Sequence, residues 1–308
     1  MLDLYIGCSG WSYSSWEGPF YPSSIDNKLM LPYYSKIFNY VEIDSTFYTI
    51  PSQPMVKNWN KRTPDNFRFT VKFPKIITHE KRFRDVEIEL SQFYENMEPL
   101  KDKILALLIQ LPPSYELKEG LNTFRNYDFF FDNTFRYAIE VRHSSWFNEL
   151  AYNMFRNSNI SLVWSQMDAL QTSSVITTDF VYLRLIGDRS IQESNFGKLQ
   201  RDRTLEMKGW ANKISQLEEQ EKSLKIGIVA ANNHYGGFGP GTVNMFRGML
   251  NLEPKSIDHI DLKEIGDQLL LQEDFDTGLV KRKQDKQTTM SDFVRRSLII
   301  KKYSTENN

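Results

Sequence analysis

The chain has 308 residues, 40 % of them hydrophobic and 25 % charged, which suits one large α/β domain with an appendage and excludes a wholly disordered chain. A formal net charge of −1 excludes a globally basic nucleic-acid coat, and no uninterrupted apolar segment reaches the ~20 residues of a membrane span. The N-terminus MLDLYIGCSGW carries no basic, cleavable leader, so the expected setting is the cytoplasm; the one cysteine, Cys8, reads as buried filler in an apolar strand.

In chain order, short runs rich in β-branched and aromatic residues predict strands at 4–9, 40–45, 67–73, 104–111, 137–142, 161–166, 180–186 and 225–232. Helical patterns fall between them at 27–38, 54–62, 87–100, 148–157 and 205–221. Eight strand-helix repeats with right-handed crossovers predict a TIM-type (β/α)8 barrel over residues 1–253, followed by a C-terminal extension, 254–308, that is basic from about 281. The alternative is an open doubly wound sheet, but the phosphate-binding GxGxxG expected there is replaced by GCSGWSYSSWEG.

Buried parallel strands should be continuously apolar, yet here polar residues recur in one alternating phase. Arg68, Thr70 and Lys72 alternate with Phe67, Phe69, Val71 and Phe73; Glu140 and Arg142 with Ile139 and Val141; Tyr182 and Arg184 with Val181, Leu183 and Leu185. Glu42 shares a phase with Asp44, and Gln110 opposes Ile109 and Leu111. With a side-chain period of two, all these polar groups point into the barrel, late in their strands, where barrels of this kind carry their active sites. The competing reading is a set of ion pairs, Glu140 with Arg142 or Arg184 and Lys72 with Glu42, that satisfies the interior without function.

The motifs IGCSGWSYSSWEGPFYP, VEIDSTFYTIPS, FTVKFPKIITH, LLIQLPPSY, AIEVRHSSWF, VYLRLIGDR and NNHYGGFGPGT resemble, in order, those of the YecE-like family, a domain of unknown function. The resemblance covers roughly residues 4–252 and implies a TIM-type barrel, a site at the strand ends and no particular reaction. The chain departs from the family pattern at Asp44, where members often carry asparagine, and at Ile186, where they often carry histidine.

Glu42, Asp44, Lys72, Glu140 and His143 are therefore the catalytic candidates. The carboxylates suit general acid-base work or a divalent metal; His143 suits a proton shuttle or a loop cap. Ser9, Trp11, Gln110, Arg142, Trp146, Arg184, Asn232, Asn233 and His234 are binding candidates, the tryptophans either walling the pocket or sealing the barrel top. No HxH, HExxH or paired CxxC appears, so no dedicated zinc site or other cofactor is predicted, although a divalent metal stays open.

Four glycines fall among the six residues from Gly236 to Gly241, after the apolar run IGIVAA. Either the backbone turns sharply or something approaches it closely. The preferred reading is an anion cradle: backbone N–H groups near Gly239 and Gly241, a helix starting near Thr242, and the guanidinium of Arg184 holding a phosphate or carboxylate.

The tail carries eight basic residues from Lys281 to Lys302, and within it QTTMSDFV resembles the peptide that docks on DNA sliding clamps, with Gln287, Met290 and Phe293 as anchors and Val294 in place of the second aromatic. Three function classes follow: an enzyme acting on a small anionic metabolite, a nucleic-acid-associated barrel such as a nuclease recruited by the tail, and a non-catalytic ligand-binding barrel.

Overall fold

In the computed structural model of the protein, residues 2–124, 131–168, 170–221, 223–255, 262–263 and 265–267 are described. The chain divides into two compact units, Met1–Ile260 and Asp261–Asn308. The first holds the sheet; of the second, only residues 262–263 and 265–267 are described, and they are helical. Gln287, Met290 and Phe293 lie outside the described residues.

β1 (Asp3–Ser9) pairs in parallel with β2 (Tyr40–Ile43) on one side and β10 (Ile226–Ala231) on the other. From β2 the parallel order continues through β3 (Arg68–Lys72), β4 (Ile104–Gln110), β5 (Tyr137–Glu140) and β6 (Ile160–Leu162). From β10 it continues through β9 (Phe180–Leu185) to β7 (Trp164–Met167). β6 and β7 are two pieces of one stave, parted at Val163. There the ends of the sheet meet: the Val163 N–H donates to the Ile139 carbonyl at 2.9 Å, while Ser161 Oγ donates to the Phe180 carbonyl at 3.0 Å. The outcome is a nearly closed parallel barrel of eight staves, which excludes the open sheet. A short β8 (Leu170–Gln171) folds back antiparallel on β7.

Helices cover the outside: α1 (Asn27–Ile37), α2 (Gln53–Lys61), α3 (Glu87–Met97), α4 (Leu117–Thr123), α5 (Glu149–Asn157) and α6 (Thr204–Gln220), then a single turn α7 (Asn233–Gly236) and α8 (Gly239–Met249). Local chemistry explains their starts. The Asp26 carboxylate accepts the Lys28 N–H at 2.8 Å to cap α1, and Asn148 Oδ1 accepts the Ala151 N–H at 3.1 Å to cap α5. Met30, Leu31, Tyr34 and Ile37 place one buried face of α1 on the barrel at helical spacing. Pro32 inside that helix lacks an N–H, and the Lys28 carbonyl it leaves unmet accepts Arg62 Nη1 at 3.0 Å. Phe73 meets Phe93 of α3 at 5.0 Å, and Trp164 stacks on Trp210 of α6 at 5.9 Å, so the apolar strand phase faces the helices as its alternation predicts.

The opposite phase fills the barrel in layers. At the base, Ala106, Leu108, Ala138, Val163, Phe180, Ile228 and Ala230 form one buried cluster with the rings of Tyr40 and Tyr182. Above it the hydroxyls of Tyr40, Thr70 and Tyr182 make a triangle with edges of 2.7, 2.7 and 3.0 Å. The strand ends above that triangle carry the charged residues.

Candidate functional site

Glu42 from β2 and Glu140 from β5 are both fully buried and face Arg184 of β9. Arg184 grips Glu42 with a two-pronged fork, Nε to Oε2 at 2.8 Å and Nη2 to Oε1 at 2.7 Å, and reaches Glu140 Oε2 with Nη1. The Tyr182 hydroxyl donates to Glu42 from below. Arg142, just beyond β5, donates from Nε to Glu140 Oε1 at 2.6 Å and from Nη2 to Gln110 Oε1 at 2.9 Å. Two buried carboxylates thus meet two guanidinium groups. Burial pushes the Glu42 carboxyl upward, but Arg184, Tyr182 and Ser9 hold it below the usual carboxylate range. Burial likewise opposes the charge on Glu140, and Arg142 and Arg184 bring its pKa down to about 2. Every oxygen of both carboxylates accepts from a guanidinium group.

Above this layer opens a cavity of about 190 Å³ bordered by Asp44, Lys72, Gln110, Arg142, Arg184 and Asn232, with Tyr13, Phe47, Tyr48 and Phe196 as aromatic walls. Ile186, Arg189, Glu193 and His234 complete the border. β2 and β3 pair in register at Ile43 and Val71, and one residue on from each, Asp44 and Lys72 both border the cavity. Asp44 has left the strand, which ends at Ile43 rather than 45, because its backbone turns helical to start the turn Ser45–Phe47. That turn puts Phe47 under Lys72, whose Nζ lies 3.8 Å from the ring centre. Lys72 is 5 % exposed, and among the described residues no carboxylate pairs with it. Burial, then Arg184, pushes its pKa down to about 7, with Glu140 and Glu42 opposing. Burial, then Glu42, pushes Asp44 up to about 6.

The amides at the cavity are oriented by their neighbours. Gln110 gives its oxygen to Arg142, and Asn232 Oδ1 accepts the His234 N–H at 3.0 Å. Each therefore leaves its NH2 group for a ligand. Arg142 Nη1 has no protein acceptor among the described residues. The free groups on these walls are mostly donors.

Other sequence candidates lie elsewhere. Ser9 sits beside Glu42 by register and is 1 % exposed. Trp11 meets Trp59 edge-on at 6.0 Å, away from the cavity border. Trp146 is buried, donates from Nε1 to the Tyr115 carbonyl at 2.7 Å and stacks on Phe155, as a seal does. His143 caps the turn Ser144–Trp146, accepting the Ser145 N–H at Nδ1. Asn233 is 1 % exposed, and its Oδ1 accepts from Trp16 Nε1 at 3.0 Å and the Gly239 N–H at 2.8 Å. Among the described residues no three His, Cys, Asp or Glu side chains gather as a metal-ligand set, and no helix is long and apolar enough to cross a membrane.

The glycine run serves the packing of the chain. Gly239 and Gly241 lie in the first turn of α8 and do not border the cavity, and Arg184 is already committed to two carboxylates. The close visitor is the chain itself. Gly237, at φ 100°, ends α7, and a Cβ there would stand 2.5 Å from the Lys198 carbonyl oxygen. Its own carbonyl accepts the Gly197 N–H at 3.1 Å, and the Gly236 carbonyl accepts the Gln200 N–H at 2.8 Å. A Cβ on Gly239 would lie 3.2 Å from each of Cys8 Sγ, Trp16 Cζ2 and Asn233 Oδ1. The run docks the long segment after β9, which carries Arg189, Glu193 and Phe196 to the cavity. Tyr13, Phe47, Tyr48 and Phe196 were missed by sequence reasoning; the pair of aromatics directly after the β2 carboxylates, in DSTFY, was the available signal.

The family model described as "Protein of unknown function DUF72" matches residues 5–265. The UPF0759 protein YecE of Escherichia coli K12 is 32 % identical over 144 residues, 47 % of this chain and 50 % of that one. The UPF0759 protein YunF of Bacillus subtilis is 28 % identical over 155 residues, 48 % and 54 % of the two chains. The chain thus spans about half the length of the curated relatives it matches. Among crystal structures, a DUF72 family protein from Thermotoga maritima superposes with a TM-score of 0.67 at 26 % identity, covering 81 % of this chain and 99 % of the other. One from Enterococcus faecalis gives 0.66 at 22 % identity over 82 % and 99 %. With a family match over most of its length and the same barrel in solved relatives, the chain belongs to the DUF72 family of proteins of unknown function.

Proposed function

We propose that the protein is an enzyme that binds a small carboxylated or phosphorylated molecule in the mouth cavity and transfers protons on it with Asp44 and Lys72. The observation that carries this reading is that both border the same cavity, where burial pushes the Asp44 carboxyl up to about 6 and the Lys72 amine down to about 7. Groups poised near neutrality exchange protons most effectively at working pH. Glu42 and Glu140, saturated by arginines and tyrosine, hold Arg184 and Arg142 in place instead of acting as bases. Lys72, Arg142 Nη1 and the amide groups of Gln110 and Asn232 supply donors for an oxyanion, with Arg189 adding positive charge. The cavity of about 190 Å³, with charged and amide groups on its border, suits a small anionic metabolite.

The test has two parts. Purified protein is screened by thermal shift against inorganic phosphate, pyruvate and glyceraldehyde 3-phosphate, then incubated in D2O with the anions that stabilise it while NMR follows deuterium entering carbon positions next to a carbonyl. Stabilisation by at least one anion and wash-in that is lost in Asp44→Asn support the reading. No stabilisation by any anion, or wash-in unchanged in Asp44→Asn, overturns it.

A further inference from the structure

We infer that Lys72 is a covalent nucleophile, its amine condensing with the carbonyl carbon of a small oxo acid to form an imine in the mouth cavity. The inference rests on the anion-binding reading above and specifies its chemistry. An amine needs a free lone pair, a carbonyl held within reach and a nearby proton carrier. Lys72 ends β3 with its Nζ on the Phe47 ring and its chain buried. The charged groups around it are Glu42 from β2 and Asp44 just after it, Glu140 from β5 and Arg142 just beyond, and Arg184 from β9, with His79 beyond Phe47. Glu42 and Glu140 are tied up by guanidinium groups and make no ion pair with Lys72, so their pull toward the ammonium does not offset burial. Burial and Arg184 lower its pKa to about 7, which leaves much of the amine neutral at physiological pH. Arg142 Nη1 and the two amide NH2 groups are placed on the same walls to receive the acid's oxygens.

The step balances without a redox partner. The Nζ lone pair attacks the carbonyl carbon, and the C=O π pair becomes a hydroxyl by taking a proton. Nitrogen gives up that first proton, the hydroxyl takes a second proton from Asp44, the C–O bond breaks and water leaves as the C=N bond forms, and the remaining nitrogen proton returns to Asp44. The net change is Lys–NH2 + O=CRR′ → Lys–N=CRR′ + H2O. Asp44 borders the same cavity with its carboxyl pushed up to about 6 by burial, and it is the proton carrier of these steps. Phe47 on one side and the aromatic walls around it limit the water that would reverse the reaction.

The experiment uses the full chain with pyruvate, and glyoxylate as the smaller probe, in sodium cyanoborohydride from pH 5 to pH 9, followed by peptide mass mapping. The expected result is one adduct on Lys72, a mass gain of one oxo acid less one oxygen atom. Its rate should exceed that of exposed lysines such as Lys57 and Lys118 by about tenfold or more and be half-maximal near pH 7. Adducts scattered over exposed lysines with Lys72 unmodified, or Lys72 reacting no faster than they do, overturn the inference. Thermal stabilisation by any screened anion without an adduct overturns the imine but leaves the anion site standing, whereas no adduct and no stabilisation by any of them removes both. Because the readout is on wild-type protein, no variant has to fold.

Discussion

Lys72 Nζ rests 3.8 Å from the centre of the Phe47 ring, with no carboxylate paired to it among the described residues. An ammonium on an aromatic face gains about 0.5–2 kcal/mol. Burying an ion costs several kcal/mol even after relaxation. Burial wins, and the lowered pKa follows.

Lys72→Met should therefore stabilise the fold while abolishing function. Because the folded pKa of about 7 lies below the ordinary lysine value, the unfolded chain binds more protons between pH 7 and pH 10.5, so the penalty is full below pH 7 and is relieved as pH rises through that window. We expect a gain of about 1–3 kcal/mol at pH 7 that vanishes above pH 10.5. Urea melts at both pH values measure it; a loss of stability at pH 7 would contradict it.

Asp44→Asn should act in the opposite pH direction. A carboxyl raised to about 6 in the fold favours the native state fully below pH 3.8, and that contribution is lost as pH rises through 6. The amide keeps the shape of the carboxyl without its charge, so the variant should gain on wild type as pH rises from 4 to 7. Thermal melts across that range report it, and a constant difference would argue that Asp44 is not desolvated.

Arg184→Met should cost about 3–5 kcal/mol, because it strands the buried Glu42 carboxylate and leaves Glu140 with Arg142 alone. With the guanidinium gone, both take up protons more readily, so the variant should be less damaged at pH 5 than at pH 8. Denaturant melts at the two pH values test this, and a loss below about 1 kcal/mol at pH 8 would mean the cluster relaxes freely.

Gly237→Ala should strain the αL turn and push on the Lys198 carbonyl, costing about 1–2 kcal/mol. Since Gly197 hangs on the Gly237 carbonyl and Phe196 borders the cavity, ligand affinity should fall as well. Calorimetric titration with an anion found in the thermal screen checks the second effect; unchanged affinity would show that the segment after β9 does not shape the site.

Much of this was legible in the sequence. The alternation of Arg68-Thr70-Lys72 with Phe69-Val71-Phe73 assigned the barrel interior, because a period of two admits one inward set once both faces are buried. The same logic brought Asp44, Lys72, Gln110, Arg142, Arg184 and Asn232 to one cavity. It did not separate Glu42 and Glu140, saturated by Arg184, from Asp44 and Lys72, which are not; that depends on which partners the closed barrel brings across from β9. The glycine run was ambiguous because glycine answers any close approach alike, and sequence does not say whether the visitor is a phosphate or the Lys198 carbonyl. The split of the stave at Val163 is set by pairing with two neighbours at once and leaves no mark in ISLVWSQ.

The most direct test of the account is the titration of Lys72 itself. Protein carrying 13C at the lysine Cε, with Lys72→Met to assign the resonance, is followed by NMR from pH 5 to pH 11. The account predicts a midpoint near 7, far below the other lysines. A Lys72 resonance that titrates with them, near the ordinary value of about 10.4, would contradict it.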